Sequence, residues 1–285
     1  MSDSFVVTPM SQNFDLEPGK TYTGSITVAN SGSATNDFAY KISVAPYSVM
    51  GEGYDADLAT MSNRSMMVDW IKVENPKGTL KPNETAEINF IITVPETAPA
   101  GGQYASLLVT EDTGVANSQG VKVSSIFEIA SLVYAKVAGE TVTGGEILEN
   151  NIPGFAMTTP VKVGALISNT GNVHQTATTV LEVKNLITGE IVLPTEQNDG
   201  RHSEIIMPET TRRTEYEITE LPAVGVVRVS QTIYYNGISS VEMKDVLICP
   251  IWFIVVALVV VCGMIFGGFF GIKTYKRKKS ARKIA

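Results

Sequence analysis

The sequence has few of the residues that carry chemistry. Cysteine occurs only as Cys249 and Cys262, so residues 1–248 can hold neither a disulfide framework nor a cysteine-ligated metal. The only histidines, His174 and His202, have no cysteine or second histidine near them in sequence, and we interpret both as surface residues. No Gly-x-Ser-x-Gly nucleophile motif is present. The sequence therefore predicts a protein that is not an enzyme and that uses no cofactor and no metal.

Negative charge is missing from the end of the chain. The formal net charge is −7, yet no acidic residue follows Asp245. Seven of the 22 basic residues lie beyond Ile272, namely Lys273, Lys276, Arg277, Lys278, Lys279, Arg282 and Lys283. The rest of the chain is strongly acidic. This argues against nucleic-acid binding, which needs a basic face to neutralise phosphates.

Charge of either sign is absent from Val246 to Ile272. A helix needs roughly 20 such residues to cross a bilayer, so we predict a transmembrane segment over 249–272. Pro250 suits the first helical turn, and the helix should run from Pro250 to Ile272. The basic residues after it predict a cytoplasmic tail, 273–285, that contacts anionic lipid headgroups, and a single-pass protein with its ectodomain outside.

An exported ectodomain needs an N-terminal signal. The chain begins "MSDSFVVTP", which has neither a basic n-region nor an apolar stretch. We expect Met1 to replace a signal peptide that was cleaved or deleted.

Glycines recur at intervals of four in the apolar segment, at Gly263, Gly267 and Gly271. Small residues at this spacing lie on one helix face and let helix backbones approach closely in lipid. Glycine is also common in membrane helices in general. The row predicts a packing face for self-association or for another membrane helix, with plain membrane-helix composition as the alternative.

Residues 1–248 show short runs of alternating apolar and polar residues. In "TYTGSITVANSG" the side chains of Tyr22, Ile26 and Val28 fall on one face, and "AEINFIITVP" and "PVKVGALISNTG" alternate in the same way. Period-two alternation that ends in Gly, Pro, Asn or Asp is typical of half-buried antiparallel strands, and many such strands suggest β-sandwiches. We predict an all-β fold.

These runs recur in the same order in the two halves of the chain. "ITVANSG" corresponds to "GALISNTG", so that Asn30 matches Asn169, and "LKPNETAEINFIITVP" corresponds to "IMPETTRRTEYEITELP", so that Pro82 matches Pro208. A third pair follows, "APAGGQYASLLVTED" and "PAVGVVRVSQTIYYNG". Chance similarity of turn residues is the alternative, and the shared order of three elements favours a duplication.

We therefore predict two tandem immunoglobulin-like β-sandwich domains, at 1–140 and 141–248, followed by the transmembrane helix. Each domain should bury its own core. Trp70, Phe90 and Tyr104 are candidates for the first core, because large aromatic side chains in strand-rich domains are usually buried.

The chain resembles the WxL-interacting cell-surface proteins of Gram-positive bacteria. The resemblance rests on "LEPGKTYTGSITVANSGSATNDFAYKI", "WIKVENPKGTLKPNETAEINFIITVPETAPAGGQYASLLV" and "ISNTGNVHQTATTVLEVKNLITGEIV", and on the order of parts. It implies a peptidoglycan-binding first domain and a second domain that docks WxL proteins. Within "PAGGQY" it assigns Gly101, Gly102 and Tyr104 to the domain-one pattern, where they either touch ligand or shape the start of a strand.

Two functions fit these patterns. The first is a membrane-anchored binding protein that holds cell-wall polymer or another surface protein near the bilayer, through a sheet edge or an open sheet face. The second is a structural or assembly subunit of an envelope complex, which associates through the glycine row.

Overall fold

The computed structural model describes residues 5–31, 36–111, 127–192 and 200–281, with side chains up to residue 268. The chain divides into two compact units. Unit 1 contains residues 1–146, 167–176 and 205–213, and unit 2 contains 147–166, 177–204 and 214–285. Five strands contain residues of both units. The boundary near residue 140 that the sequence suggests for two domains stays a prediction.

The elements confirm a mostly β chain with one long helix near its C-terminus. The first half of the chain contains β1 (Phe5–Thr8), β2 (Ser11–Leu16), β3 (Thr21–Asn30), β4 (Phe38–Pro46), β5 (Ser48–Met50), β6 (Asp55–Asp57), a short 3-10 helix (Met66–Trp70), β7 (Ile71–Val73), β8 (Lys77–Leu80), β9 (Thr85–Thr93), β10 (Gly101–Glu111) and β11 (Glu128–Val137). The second half contains β12 (Gly145–Asn151), β13 (Phe155–Ala156), β14 (Val161–Asn169), β15 (Gln175–Asn185), β16 (Ile191–Val192), β17 (Arg201–Ile206), β18 (Thr210–Ile218), β19 (Gly225–Tyr235), β20 (Ile238–Ile248) and α1 (Ile251–Ala281).

Two sheets enclose the core of the first half. One has the order β1-β3-β9-β7 and the other β2-β11-β10-β4-β8. In β9 the side chains of Ile88, Phe90 and Ile92 are buried and alternate with more exposed neighbours, as the sequence pattern predicts. Trp70 and Phe90 belong to this core, as predicted. Tyr104 is also buried, but it packs in a separate cluster.

Two further sheets enclose a second core. Their orders are β12-β14-β18 and β13-β20-β19-β15-β16, with β17 also paired to β15. Val161, Val163, Val227 and Val229 are among the core side chains and are almost completely buried. The strand order repeats that of the first half, since β2 runs parallel to β11 just as β13 runs parallel to β20. The predicted repetition of one plan is confirmed in this order.

Matched asparagines mark the same position in both halves. Asn30 ends β3, and its Nδ2 donates to the carbonyl of Leu80 at 3.1 Å. Asn169 ends β14, and its Nδ2 donates to the carbonyl of Ile206 at 2.9 Å. Leu80 and Ile206 each end the strand that precedes the Pro-led turn. Both asparagines are buried, so the amide satisfies a carbonyl that water does not reach.

The helix α1 begins at Ile251, one residue after Pro250, and continues to Ala281, past the predicted end at Ile272. The Pro250 carbonyl accepts the N–H groups of Phe253 and Ile254, which closes the first turn. The stretch Ile251–Gly268 is long and apolar enough to span a membrane.

Candidate functional site

Tyr104 lies in β10, whose residues from Gly101 to Val109 are all buried. Its side chain is 1% exposed and packs with Tyr47, Tyr134 and Met207. The ring centroids of Tyr104 and Tyr134 lie 5.8 Å apart in an edge-to-face arrangement. Tyr47 contacts Tyr134 in the same way. We call Tyr47, Tyr104, Tyr134 and His174 the tyrosine cluster, and all four residues belong to unit 1.

His174 completes this cluster through two hydrogen bonds. Its backbone N–H donates to the Tyr104 hydroxyl at 3.0 Å, and that hydroxyl lies 3.2 Å from Nδ1 of its ring. The tautomer of the imidazole ring decides which of the two groups donates in this second bond. Burial lowers the pKa of His174, with a further lowering by Lys136 that Asp15 partly offsets, while burial raises the pKa of Tyr104. Both side chains are therefore uncharged near pH 7, and each is the hydrogen-bond partner of the other.

The interpretation of both histidines as surface residues is wrong for His174. The ring is half-buried against Tyr104 and Tyr134 because β10 and the segment at 172–174 are neighbours in unit 1. His202 is also half-buried, and it stacks on Tyr216 with ring centroids 4.4 Å apart. Among the residues with a described position, no group of three or more His, Cys, Asp or Glu side chains could hold a metal ion.

Gly101 and Gly102 place the start of β10 against the backbone of Asn172. Gly101 has φ +109°, and a Cβ on it would lie 2.8 Å from the Asn172 carbonyl oxygen. The N–H of Gly102 donates to that same oxygen at 2.7 Å, and a Cβ on Gly102 would lie 2.0 Å from the Tyr104 hydroxyl. The structure thus brings the three residues of the "PAGGQY" pattern together in a packed site. No side chain but hydrogen fits at either glycine without a shift of its neighbours.

Arg64 contacts the same carbonyl from another direction. Its Nη1 donates to the Asn172 oxygen at 3.0 Å, and its Nη2 pairs with Oε1 of Glu209 at 2.5 Å. The Arg64 side chain is 18% exposed and the Glu209 side chain 64%, so the pair lies at the mouth of a cavity. This cavity has a volume of about 180 Å³, and Tyr47, Tyr104 and Thr210 also line it. Sequence reasoning missed Arg64 and Asn172, since neither stands in a motif.

A second, polar pocket of about 260 Å³ lies beside the tyrosine cluster. Tyr134 and His174 line it together with Asp15, Lys136 and Gln175. Asp15 and Lys136 are directly opposite each other in the parallel pairing of β2 with β11. The pocket therefore presents an aromatic ring, an amide and charges of both signs.

Unit 2 has an exposed apolar surface that the sequence analysis did not single out. On the outer side of β19 and β20, Tyr234 is 52% exposed, Val241 56% and Met243 65%. Val241 lies opposite Thr232 and Met243 opposite Ser230, while the core-facing residues of β19 are the alternate ones, such as Val227 and Val229. We call Tyr234, Val241 and Met243 the outer patch. The alternation in "VEMKDVLI" is the sequence signal that could have identified it.

In α1, a Cβ added to Gly263 or Gly267 would meet no heavy atom within 4 Å, apart from the backbone of the helix itself. The helix continues through Gly271 and through five of the basic residues, whose side chains lie outside the described part. These are Lys273, Lys276, Arg277, Lys278 and Lys279. Arg282 and Lys283 lie outside the described residues altogether. The glycine packing face and the basic anchor stay predictions.

No family model matches the chain, and no curated protein sequence matches it significantly. Among solved structures it is similar to the class 5 fimbriae chaperone CfaA, at 15% identity and a TM-score of 0.39, over 85% of this chain and 99% of that chain. It is similar to the E. coli chaperone DraB at 14% identity and a TM-score of 0.37, over 85% and 97%. It is similar to a structure of the Salmonella enterica SafA pilin in complex with the SafB chaperone at 10% identity and a TM-score of 0.40, over 87% and 98%.

Proposed function

We propose that the chain is a non-enzymatic, membrane-anchored cell-surface protein that binds another protein through its β-rich part. The observation that carries the proposal is the outer patch of unit 2. Tyr234, Val241 and Met243 are each more than half exposed on one face. Large apolar side chains that cluster on a surface mark an interaction site, whereas single ones do not.

The position of this patch in the chain fits an anchored receptor. β20 ends at Ile248 and α1 begins at Ile251, so only Cys249 and Pro250 separate the patch strand from the apolar helix. In the proposed topology the helix crosses the membrane, the basic tail is cytoplasmic, and two immunoglobulin-like sandwiches lie outside. This arrangement is that of the WxL-interacting family, and the protein partner would then be a WxL-type surface protein.

Patch variants of the full chain in detergent micelles test this proposal. Immobilised chain is incubated with a surface-protein extract, and the retained proteins are compared between the parent and a variant with Tyr234→Ser, Val241→Ser and Met243→Ser. Ile191→Ser is the control, because Ile191 is 57% exposed and lies off the patch on β16. We expect the control to retain the same protein as the parent and the patch variant to lose it. Equal retention by all three would contradict the proposal.

The polar pocket supports a second candidate, binding of cell-wall polymer. Sugar hydroxyls form hydrogen bonds with amides and charged groups, and Gln175, Lys136 and Asp15 supply these groups at the pocket. Cosedimentation of the full chain with isolated peptidoglycan measures this activity. We expect Lys136→Ala with Gln175→Ala to reduce it and the outer-patch variant to leave it unchanged. Unchanged cosedimentation of the pocket variant would remove this candidate.

The alternative of an assembly subunit rests on the helix. The open positions beside Gly263 and Gly267 are compatible with close approach of a second helix. This role does not exclude the first, since the ectodomain and the helix would bind different partners.

A further inference from the structure

One edge of β20 is open along most of its length. Its other edge pairs with β19 at every position from Ile238 to Ile248. On the open edge, the only neighbouring strand in the described part of the chain is β13, which pairs with Leu247 and Ile248 alone. The stretch 238–246 therefore presents a strand edge that no strand of the described residues covers. Such an edge is a template for pairing with another chain.

The first half of the chain shows what covers the corresponding edge there. Val137 of β11 lies opposite Gly101, the first residue of β10, and Ile248 of β20 lies opposite Gly225, the first residue of β19. When these two pairs are aligned, Leu132–Ala135 correspond to Met243–Val246. In the first half these positions are covered by β2, which runs parallel to β11 from Ser11 to Leu16. The duplicated plan thus contains a strand position that the chain fills in one half and that no described strand fills in the other.

Backbone hydrogen bonds show which amides of β20 face the open edge. The N–H of Leu247 donates to the Gly154 carbonyl and the N–H of Cys249 to the Ala156 carbonyl, both on the β13 side. Successive residues of a strand point their N–H groups to opposite sides. The N–H groups of Val241, Met243 and Asp245 therefore face the open edge, and those of Glu242 and Lys244 face β19.

We propose that this edge binds an extended segment of a partner protein, which adds to β20 as a parallel strand along 238–246. The inference rests on the proposed function and specifies how the partner binds. The parallel direction is that of β13 on the same edge and of β2 in the first half. Main-chain hydrogen bonds supply affinity in this mode, and alternate side chains supply specificity.

The side chains of β20 define the chemistry of the segment. Its outward residues are apolar, because they extend the surface formed by Val241 and Met243. One of its other residues is acidic and lies opposite the exposed Lys244, because opposite charges directly across a strand pair are stabilising. A second copy of β20 in the same direction and register would instead bring Lys244 beside Lys244, and like charges directly opposite are destabilising.

The test uses the full chain in lipid nanodiscs and a displayed library of random peptides. Peptides selected on the parent are measured against Met243→Pro and Met243→Ala. Proline removes the edge N–H, whereas alanine keeps it and removes only the side chain. We expect selected peptides to alternate apolar and polar residues, to lose about tenfold or more in affinity on Met243→Pro, and to lose less on Met243→Ala. Equal affinity for the two variants, or no selected peptide at all, would overturn the inference.

Hydrogen exchange on the unmodified chain gives a readout that no folding defect can imitate. A bound peptide should slow exchange at Val241, Met243 and Asp245, while Glu242 and Lys244, which already bond to β19, should change little. Slowed exchange confined to other elements would overturn strand addition. If peptides bind and depend on Tyr234 but not on the edge N–H, docking at the outer patch stands and strand addition fails. Pairing of β20 with a second copy would appear as peptide-independent protection that depends on protein concentration, and it would also overturn the inference.

Discussion

The Tyr104 hydroxyl accepts the backbone N–H of His174 at 3.0 Å and forms a second hydrogen bond with Nδ1 of the same residue at 3.2 Å. These two residues are 70 positions apart in the chain, one in β10 and one just before β15, and they become mutual partners in unit 1. This pair fixes the segment at 172–174 on β10, and the backbone of Asn172 supplies a further acceptor for Gly102. The residues of the "PAGGQY" pattern, for which the sequence left ligand contact and the start of a strand as alternatives, thus lie in a buried junction within unit 1.

Tyr104→Phe should destabilise unit 1 by about 1–3 kcal/mol, because it leaves the His174 N–H and Nδ1 without their partner in a buried place. The measurement is the midpoint of urea unfolding of the full chain in micelles, with the fluorescence of Trp70 as the signal. The background is Trp252→Phe, which leaves Trp70 as the only tryptophan. Tyr22→Phe is the matched control, because its hydroxyl accepts an exposed bond from the Glu17 N–H that water can replace. An equal effect of the two variants would contradict this account of the junction.

Acid should weaken the same junction through His174. Burial, and then Lys136, lower its pKa in the folded state, so the unfolded chain binds the proton more readily. The stability that neutral His174 contributes is therefore complete above its unfolded pKa of about 6.5 and is lost as the pH falls through and below that value. We expect the urea midpoint of unit 1 to fall between pH 7.5 and about 5.5, before the carboxylates titrate. His174→Gln should flatten this dependence, and an unchanged slope would assign it to other groups.

The glycines of the "PAGGQY" pattern offer a test of packing without any ligand. Gly101→Ala should cost about 1–3 kcal/mol, because φ +109° strains an L-residue and the new Cβ would meet the Asn172 oxygen. Gly53→Ala is the control, since a Cβ there meets nothing within 4 Å, and it should change stability by less than about 0.5 kcal/mol. The effect of each variant is measured as the shift in the urea unfolding midpoint, with Trp70 fluorescence as the signal. If Gly101→Ala left the unfolding midpoint unchanged, the segment around Asn172 would have moved away from the new Cβ at little cost in stability.

Much of the fold could be predicted because strand alternation and turn residues are local signals. The matches of Asn30 with Asn169 and of Pro82 with Pro208 identified equivalent positions, and the equivalent hydrogen bonds to Leu80 and Ile206 confirm them. The signal is the asparagine at a strand end and the Pro-led turn that follows its carbonyl partner in each half, although that partner is 50 residues away in one half and 37 in the other. The end of α1 was less predictable, since no proline or glycine stop follows Ile272.

The candidate sites could not be predicted to the same degree. His174 looked like a surface residue because its partners, Tyr104 and Tyr134, are distant in sequence and carry no motif. The open edge of β20 was also invisible, because it depends on how far β13 extends beside it. Whether a strand edge is covered is a property of sheet order, which alternation alone does not encode.

The glycine row of α1 makes the last prediction. The positions Gly263, Gly267 and Gly271 are four apart, so they share one face of the helix, while Gly268 lies off that face. If the row packs against another helix, Gly263→Leu with Gly267→Leu and Gly271→Leu should abolish association, because the leucines hold the backbones apart. Gly268→Leu, which adds the same kind of side chain elsewhere, should leave it intact. Energy transfer between labelled full-length chains in lipid vesicles measures self-association. Transfer that survives the triple change, or that Gly268→Leu reduces equally, would leave the helix as an anchor without a specific packing face.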